Sequence, residues 1–131
     1  MGTQGYFGKL WLLVATAGCR WQRYGSGTPS VAQAHFGKGL NQFKCPQGVA
    51  IDSNVNLFVA DQLNHRVVKW APKATSGVLV AGGKGGGKGL HQLKSPQKGV
   101  AIDSNMNLFV ADIWNNRVVK WAPKATSGVL V

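Results

Sequence analysis

The sequence predicts an all-β chain assembled from antiparallel four-stranded sheets. The first observation behind this is a duplication. Residues 48–80 (GVAIDSNVNLFVADQLNHRVVKWAPKATSGVLV) return as residues 99–131 at an offset of 51, and four of the 33 positions differ: Val55/Met106, Gln62/Ile113, Leu63/Trp114 and His65/Asn116. A fixed period of this size marks a repeat architecture. The second is that each copy holds four short runs rich in Val, Leu and Ile, bounded by Gly, Asn, Asp, Ser and Pro, the pattern of a β-meander. The third is that no helical period of useful length appears.

In chain order, residues 1–9 are Gly-rich. The apolar run at 10–17 (LWLLVATA) holds a strand at 10–15, because LLVA at 12–15 resembles VLVA at 78–81 and each is soon followed by Gly. The same stretch ends in an A-x-A shape after a lone Lys9, the outline of a weak secretory signal. The strand is preferred, and a cytoplasmic setting is favoured over a secreted one. Residues 18–36 are loop-like, basic and aromatic, with Cys19, Arg20, Trp21, Arg23 and Tyr24. GKGLNQFKCP at 37–46 then matches GKGLHQLKSP at 87–96, so the repeat begins upstream of the long duplication, and the extra Lys98 lengthens the offset from 50 to 51.

Each unit is expected to hold four strands. They fall at 48–52, 56–60, 66–71 and 77–81, and again at 99–103, 107–111, 117–122 and 128–131. Polar residues at 53–55 suit a tight turn. Residues 61–65 form a polar loop, and Pro72 ends pairing of the third strand. One such meander cannot bury both of its faces. Stacking neighbours face to face solves this, as blades do around a propeller axis.

Fifteen Lys and Arg oppose four acids, and the net charge is +11. All four acids are Asp (Asp52, Asp61, Asp103 and Asp112), and Glu is absent. Such a balance suits RNA, acidic proteins, sulfated sugars or phospholipid heads, or else serves solubility on a Lys-rich surface. No apolar run reaches the length of a membrane helix. Cys19 and Cys45 are not spaced as metal ligands. Ser95 replaces Cys45 in the second copy, so two free thiols are the simple expectation, and a disulfide would call for an oxidising compartment.

The runs PQGVAID at 46–52, NLFVAD at 56–61 and Asn64-His65-Arg66 resemble the NHL repeat, and the second copy matches with Asn115-Asn116-Arg117. The resemblance covers residues 37–131. It implies β-propeller blades, so the fold expected is an incomplete β-propeller: an N-terminal segment with one outer strand and a basic loop at 1–36, a first blade at 37–81, and a Gly-Lys connection with a second blade at 82–131. Six blades are common in the family. Two blades therefore imply either a fragment of a longer propeller or self-association to complete one. The family's members mostly bind proteins, RNA or extracellular ligands, and a minority are enzymes, including a metal-dependent amidating lyase.

A non-enzymatic protein-binding scaffold is the function expected, with no cofactor and no metal. Its alternatives are binding of RNA or another polyanion through the basic loop face, and a fragment of an amidating-lyase-like enzyme. The ligand-binding face is expected in the loop after each second strand: Gln62, Leu63, Asn64, His65 and Arg66, with Ile113, Trp114, Asn115, Asn116 and Arg117. Three of the four differences between copies fall there, while the framework is unchanged. Varied loops on a rigid scaffold suit binding, and relaxed drift in an exposed loop is the competing explanation.

Lys84, Lys88, His91, Lys94 and Lys98 form the candidate anion-binding set. Gly82, Gly87 and Lys88 satisfy GxxxxGK, but Gly89 stands where a Ser or Thr is needed and no helix start follows. A blade-to-blade connection is the better reading. Asp52-Ser53-Asn54-Val55-Asn56 echoes a calcium loop without its Gly or distal Glu, so a hydrogen-bonded turn is expected. Asp61 with Arg66, and Asp112 with Arg117, are expected to pin their loops. Trp70 and Trp121 are expected to pack between blades. The three His show no ligand spacing, and no catalytic triad or paired-carboxylate arrangement has support.

Overall fold

The computed structural model describes residues 35–131. The strand expected at 10–15, the aromatic loop with Trp11 and Trp21, and Cys19 lie outside the described residues. Among the described residues ten strands follow one another: β1 (His35–Phe36), β2 (Gln42–Phe43), β3 (Pro46–Ile51), β4 (Leu57–Asp61), β5 (Arg66–Trp70), β6 (Val78–Gly82), β7 (Val100–Ile102), β8 (Leu108–Asp112), β9 (Arg117–Trp121) and β10 (Val129–Leu130). β3 to β6 form one antiparallel four-stranded meander and β7 to β10 the other. The eight strands expected within the two units all form, with ends shifted by a residue or two. Pro46 joins at the start of β3, where a missing N–H does not interrupt the ladder. The short parallel pair β1–β2 was not anticipated. It forms as the chain before the first blade folds back, with Gly37 N–H donating to Phe43 O at 2.9 Å.

Alternation along the strands decides what each face meets. In β4, Phe58 points to one face while Leu57 and Val59 point to the other. Phe58, Val67 and Ala81 of the first sheet pack against Leu108, Val110, Val119 and Trp121 of the second, and Leu93 from the connection seals the seam. The two copies therefore stack face to face, as the duplication predicted. The opposite face of the first sheet gathers Val59, Val68 and Trp70 around Phe43, whose ring centre lies 5.7 Å from that of Trp70. Phe43 and Leu93 occupy matching places in the repeat, so each blade carries in its own apolar wedge. Trp121 lies between the blades, as expected, whereas Trp70 packs on the outer face of the first.

The far face of the second sheet is open. Val118 is 45% exposed where its counterpart Val67 is 0% exposed. Phe109 is half-buried where Phe58 is buried, and Leu130 is exposed.

Each blade needs glycine where the chain enters its last strand, at 77 and 128. A Cβ at either would collide with Val68 or Val119 of the preceding strand in the same sheet, while each N–H donates to a connection carbonyl, Leu40 or Leu90, at 2.7 Å. Cys45 is disulfide-bonded, which corrects the free-thiol expectation at that position.

The turn after β3 is held by its aspartate. Asp52 Oδ1 accepts the N–H groups of Asn54 and Asn56 at 2.9 Å, and Oδ2 accepts Asn56 Nδ2 at 2.9 Å. Asp103 repeats this with Asn105 and Asn107. The side-chain hydrogen bond from Asn107 is the main cause holding the Asp103 carboxyl below its ordinary value. The carboxylate is thus occupied by its own turn, in agreement with the expectation.

That turn places Val55 at φ 64°, left-handed backbone that a β-branched residue adopts at a cost. Val55 is exposed and has little packing to lose. Val55→Gly should therefore raise stability by about 1 kcal/mol, the relief of left-handed strain less the extra freedom glycine gives the unfolded chain. The check is a higher urea midpoint at unchanged slope. Met106 has the same backbone but packs against the core between the blades, so Met106→Gly should gain less or lose.

Candidate functional site at the loop rim

The rim is built on a polar clamp that occurs once per blade. β4 ends at Asp61, a single 3₁₀ turn spans Gln62–Asn64, His65 takes a left-handed conformation, and Arg66 opens β5. Asp61 is fully buried. Its Oδ1 accepts Lys44 N–H at 2.7 Å, and its Oδ2 accepts Asn64 Nδ2 and Arg66 Nε, each at 2.8 Å. Arg66 spends its remaining donors on main-chain carbonyls: Nη1 on Lys38 O at 2.9 Å, and Nη2 on Gly39 O and Gln42 O at 2.7 and 3.0 Å. Asn64 Nδ2 also reaches Gly37 O at 2.8 Å. Burial pushes the Asp61 carboxyl above its ordinary value, opposed by hydrogen bonds from Asn64, the Lys44 N–H and Arg66.

The second blade repeats the clamp. Asp112 holds Lys94 N–H, Asn115 and Arg117, while Arg117 and Asn115 hold the carbonyls of Lys88, Gly89, Gln92 and Gly87. The expected pinning pairs are present as ion pairs of 2.8 Å. A planar guanidinium suits the task, since one side chain reaches a carboxylate and three carbonyls at fixed angles.

The ten residues expected on the binding face therefore divide by task. Asn64, Arg66, Asn115 and Arg117 bind the preceding connection to the blade. Leu63, Ile113, Trp114 and Asn116 stand exposed, Trp114 most among the rim side chains at 62%. Gln62 is half-buried beside the connection, where its N–H donates to Cys45 O at 3.2 Å. His65 is half-buried against Gly86, and its Nδ1 accepts Ser95 N–H at 2.9 Å. That bond ties the rim of the first blade to the chain entering the second. Nothing in the sequence marked this contact, because it joins residues 30 apart through a main-chain group.

Lys84, Lys88, His91, Lys94 and Lys98 are all exposed. They are strung along the connection rather than gathered at one point. Lys84 follows β6, the outermost strand, while the backbone of Lys98 packs on Gly48 of β3, the innermost. The GxxxxGK tract starts no helix. Gly89 N–H donates to Gln92 Oε1 at 3.1 Å and Gln92 N–H to Gly89 O at 3.0 Å, closing a turn of the blade-to-blade connection. Among the described residues, no three His, Cys or Asp side chains converge as metal ligands.

Two comparisons bear on this geometry. Residues 43–70 match the NHL repeat, a span running from the Phe43 wedge through the first clamp to Trp70. The chain is also 32% identical over 98 residues to the peptidyl-glycine alpha-amidating monooxygenase of Mus musculus, a match covering 72% of this chain and 10% of that protein. The chain thus spans about a tenth of the length of that relative. Residues 43–70 are thus an NHL repeat, and the second four-stranded sheet repeats its residues and its clamp, as two propeller blades of one design do.

Proposed function

We propose that this chain is a non-enzymatic binding module whose rim loops hold a protein or peptide partner. The observation that carries the reading is the contrast within the second rim loop. Asp112, Asn115 and Arg117 keep the identities of their counterparts and hold the backbone, while Ile113 and Trp114 differ from theirs and stand exposed. A large, amphipathic indole on a braced loop is the kind of anchor that dominates protein interfaces. A further blade of the same repeat fits the open face around Val118, so self-association belongs to the same reading. The test is Trp114→Ala in an affinity capture followed by titration of the captured partner. Binding should weaken by about tenfold or more, with an unchanged unfolding midpoint because the side chain is exposed. Undiminished binding overturns the reading.

The exposed cations of the connection support a second reading, RNA or another polyanion held by its backbone charge. That mode weakens steeply with added salt and ignores Trp114. The similarity to an amidating enzyme supports a third, in which the chain is part of a protein acting on peptidyl-glycine. Stoichiometric metal retained through dialysis would favour it.

A further inference from the structure

The outer edge of the first blade offers a surface separate from the rim. β6 is the outermost strand of its sheet and pairs with β5 alone among the described residues. One row of its main-chain groups therefore lacks a strand partner. Exposed edges are normally blunted by charge, proline, bulges or cover; β6 has a register shift at Val80, between Leu79 and Ala81, but residues 74–83 (ATSGVLVAGG) contain neither charge nor proline. Val78 on this edge is 60% exposed, and Leu79 is exposed too.

A groove of about 580 Å³ runs beside β6 between the blades. Its floor is buried and apolar: Phe58, Leu108 and Trp121. Its charged lining is wholly cationic, with Lys69, Lys84 and Lys124 and no acid. Lys69 pairs across from Val78, where β6 begins, and its Nζ lies 6.0 Å from the Phe58 ring centre. Lys124 sits in the β9–β10 connection, at the same end of its blade as the β5–β6 connection. Lys84 lies just past the other end of β6.

We propose that this groove receives an extended peptide segment of a partner protein, paired along β6 as a fifth strand. The segment seats an apolar side chain over Phe58, Leu108 and Trp121, and directs acidic residues toward Lys69 and Lys124 at one end and Lys84 at the other. Main-chain pairing supplies affinity and the flanking pocket selects side chains, the division of labour in strand addition. Five residues of β6 offer a contact about 16 Å long at roughly 3.3 Å per residue. Charge complementarity sets the partner's sign.

The test is fluorescence anisotropy on the full chain with a labelled peptide of alternating Val and Thr, flanked at both ends by Glu. Saturable binding is expected, weakened by about tenfold in a Lys84→Glu/Lys124→Glu variant and lost when the peptide backbone is N-methylated. Both lysines are exposed, so the variant should keep its unfolding midpoint. Trp114→Ala should leave this binding intact, which separates the groove from the rim. Absence of binding, equal binding to the charge-reversed variant, or equal binding of the N-methylated peptide overturns the proposal. So does a chain that dimerises without peptide and returns to monomer on Val78→Lys, because a second copy would then be the occupant.

Discussion

Arg66→Ala should lower folding stability by about 3–5 kcal/mol at neutral pH, the usual consequence of stranding a buried partner charge. The loss has two parts. Asp61 is fully buried and loses the cation paired with it. The carbonyls of Lys38, Gly39 and Gln42 lose the donor that fastens the connection to the blade. The pH dependence identifies the cause. Burial already pushes the Asp61 carboxyl up, and removal of Arg66 pushes it further. A raised carboxyl binds its proton more tightly in the folded state than in the unfolded chain, so its penalty grows as pH rises through the folded value and shrinks on acidification. The deficit of Arg66→Ala should therefore be largest at neutral pH and smaller toward pH 4. Adding Asp61→Asn should return part of the loss, because the stranded charge goes with it. Urea unfolding of the two single variants and the double variant at both pH values checks the cycle. A deficit flat with pH and additive across the cycle would mean that the clamp is not the source.

Trp121→Ala should cost about 3–5 kcal/mol, as large-to-small changes of buried aromatics do. The indole is buried in the seam between the blades, beside Leu108, Val110 and Val119. Gly128 lies close against it, and a Cβ there would stand 2.8 Å from Trp121 Nε1. Trp121→Phe keeps most of the apolar volume and should cost less. The distinctive expectation is loss of joint unfolding, since the seam couples the two sheets. Far-ultraviolet circular dichroism and amide hydrogen exchange should report one transition in the parent chain and earlier opening of the second blade in Trp121→Ala. A variant whose blades still open together, at an unchanged midpoint, would contradict the stacking.

Much of this was legible in the residues. Strand identity follows from short β-branched runs such as RVVKW, whose alternation must turn one row of side chains inward. The turn at Asp52 follows from local Asn and Asp chemistry. The Asp61–Arg66 and Asp112–Arg117 pairs could be read from spacing because both partners flank one short loop. The carbonyls that complete the clamp could not. They belong to chain some 24 to 28 residues away, and a main-chain carbonyl has no letter in the sequence. For the same reason, the sequence did not show that four of the five N–H groups of Arg66 and of Arg117 are engaged by a carboxylate and three carbonyls. The His65–Ser95 bond was hidden likewise.

The duplicated sequence by itself determined that there are two sheets of one design, that each must bury a face, and that three of the four differing positions fall in the loop between second and third strands. Local pattern suffices for this, because strand alternation and turn chemistry act over a few residues. Only the tertiary structure decided which face meets which, that Leu93 wedges the seam and Phe43 the outer face of the first blade, that the rim arginines hold the preceding connection, and that a cationic groove opens beside β6. These depend on contacts between residues far apart in the chain, and two nearly identical copies acquire different surroundings only once they stack. Val67 and Val118 share one letter and one strand position, yet one is sealed and the other faces solvent.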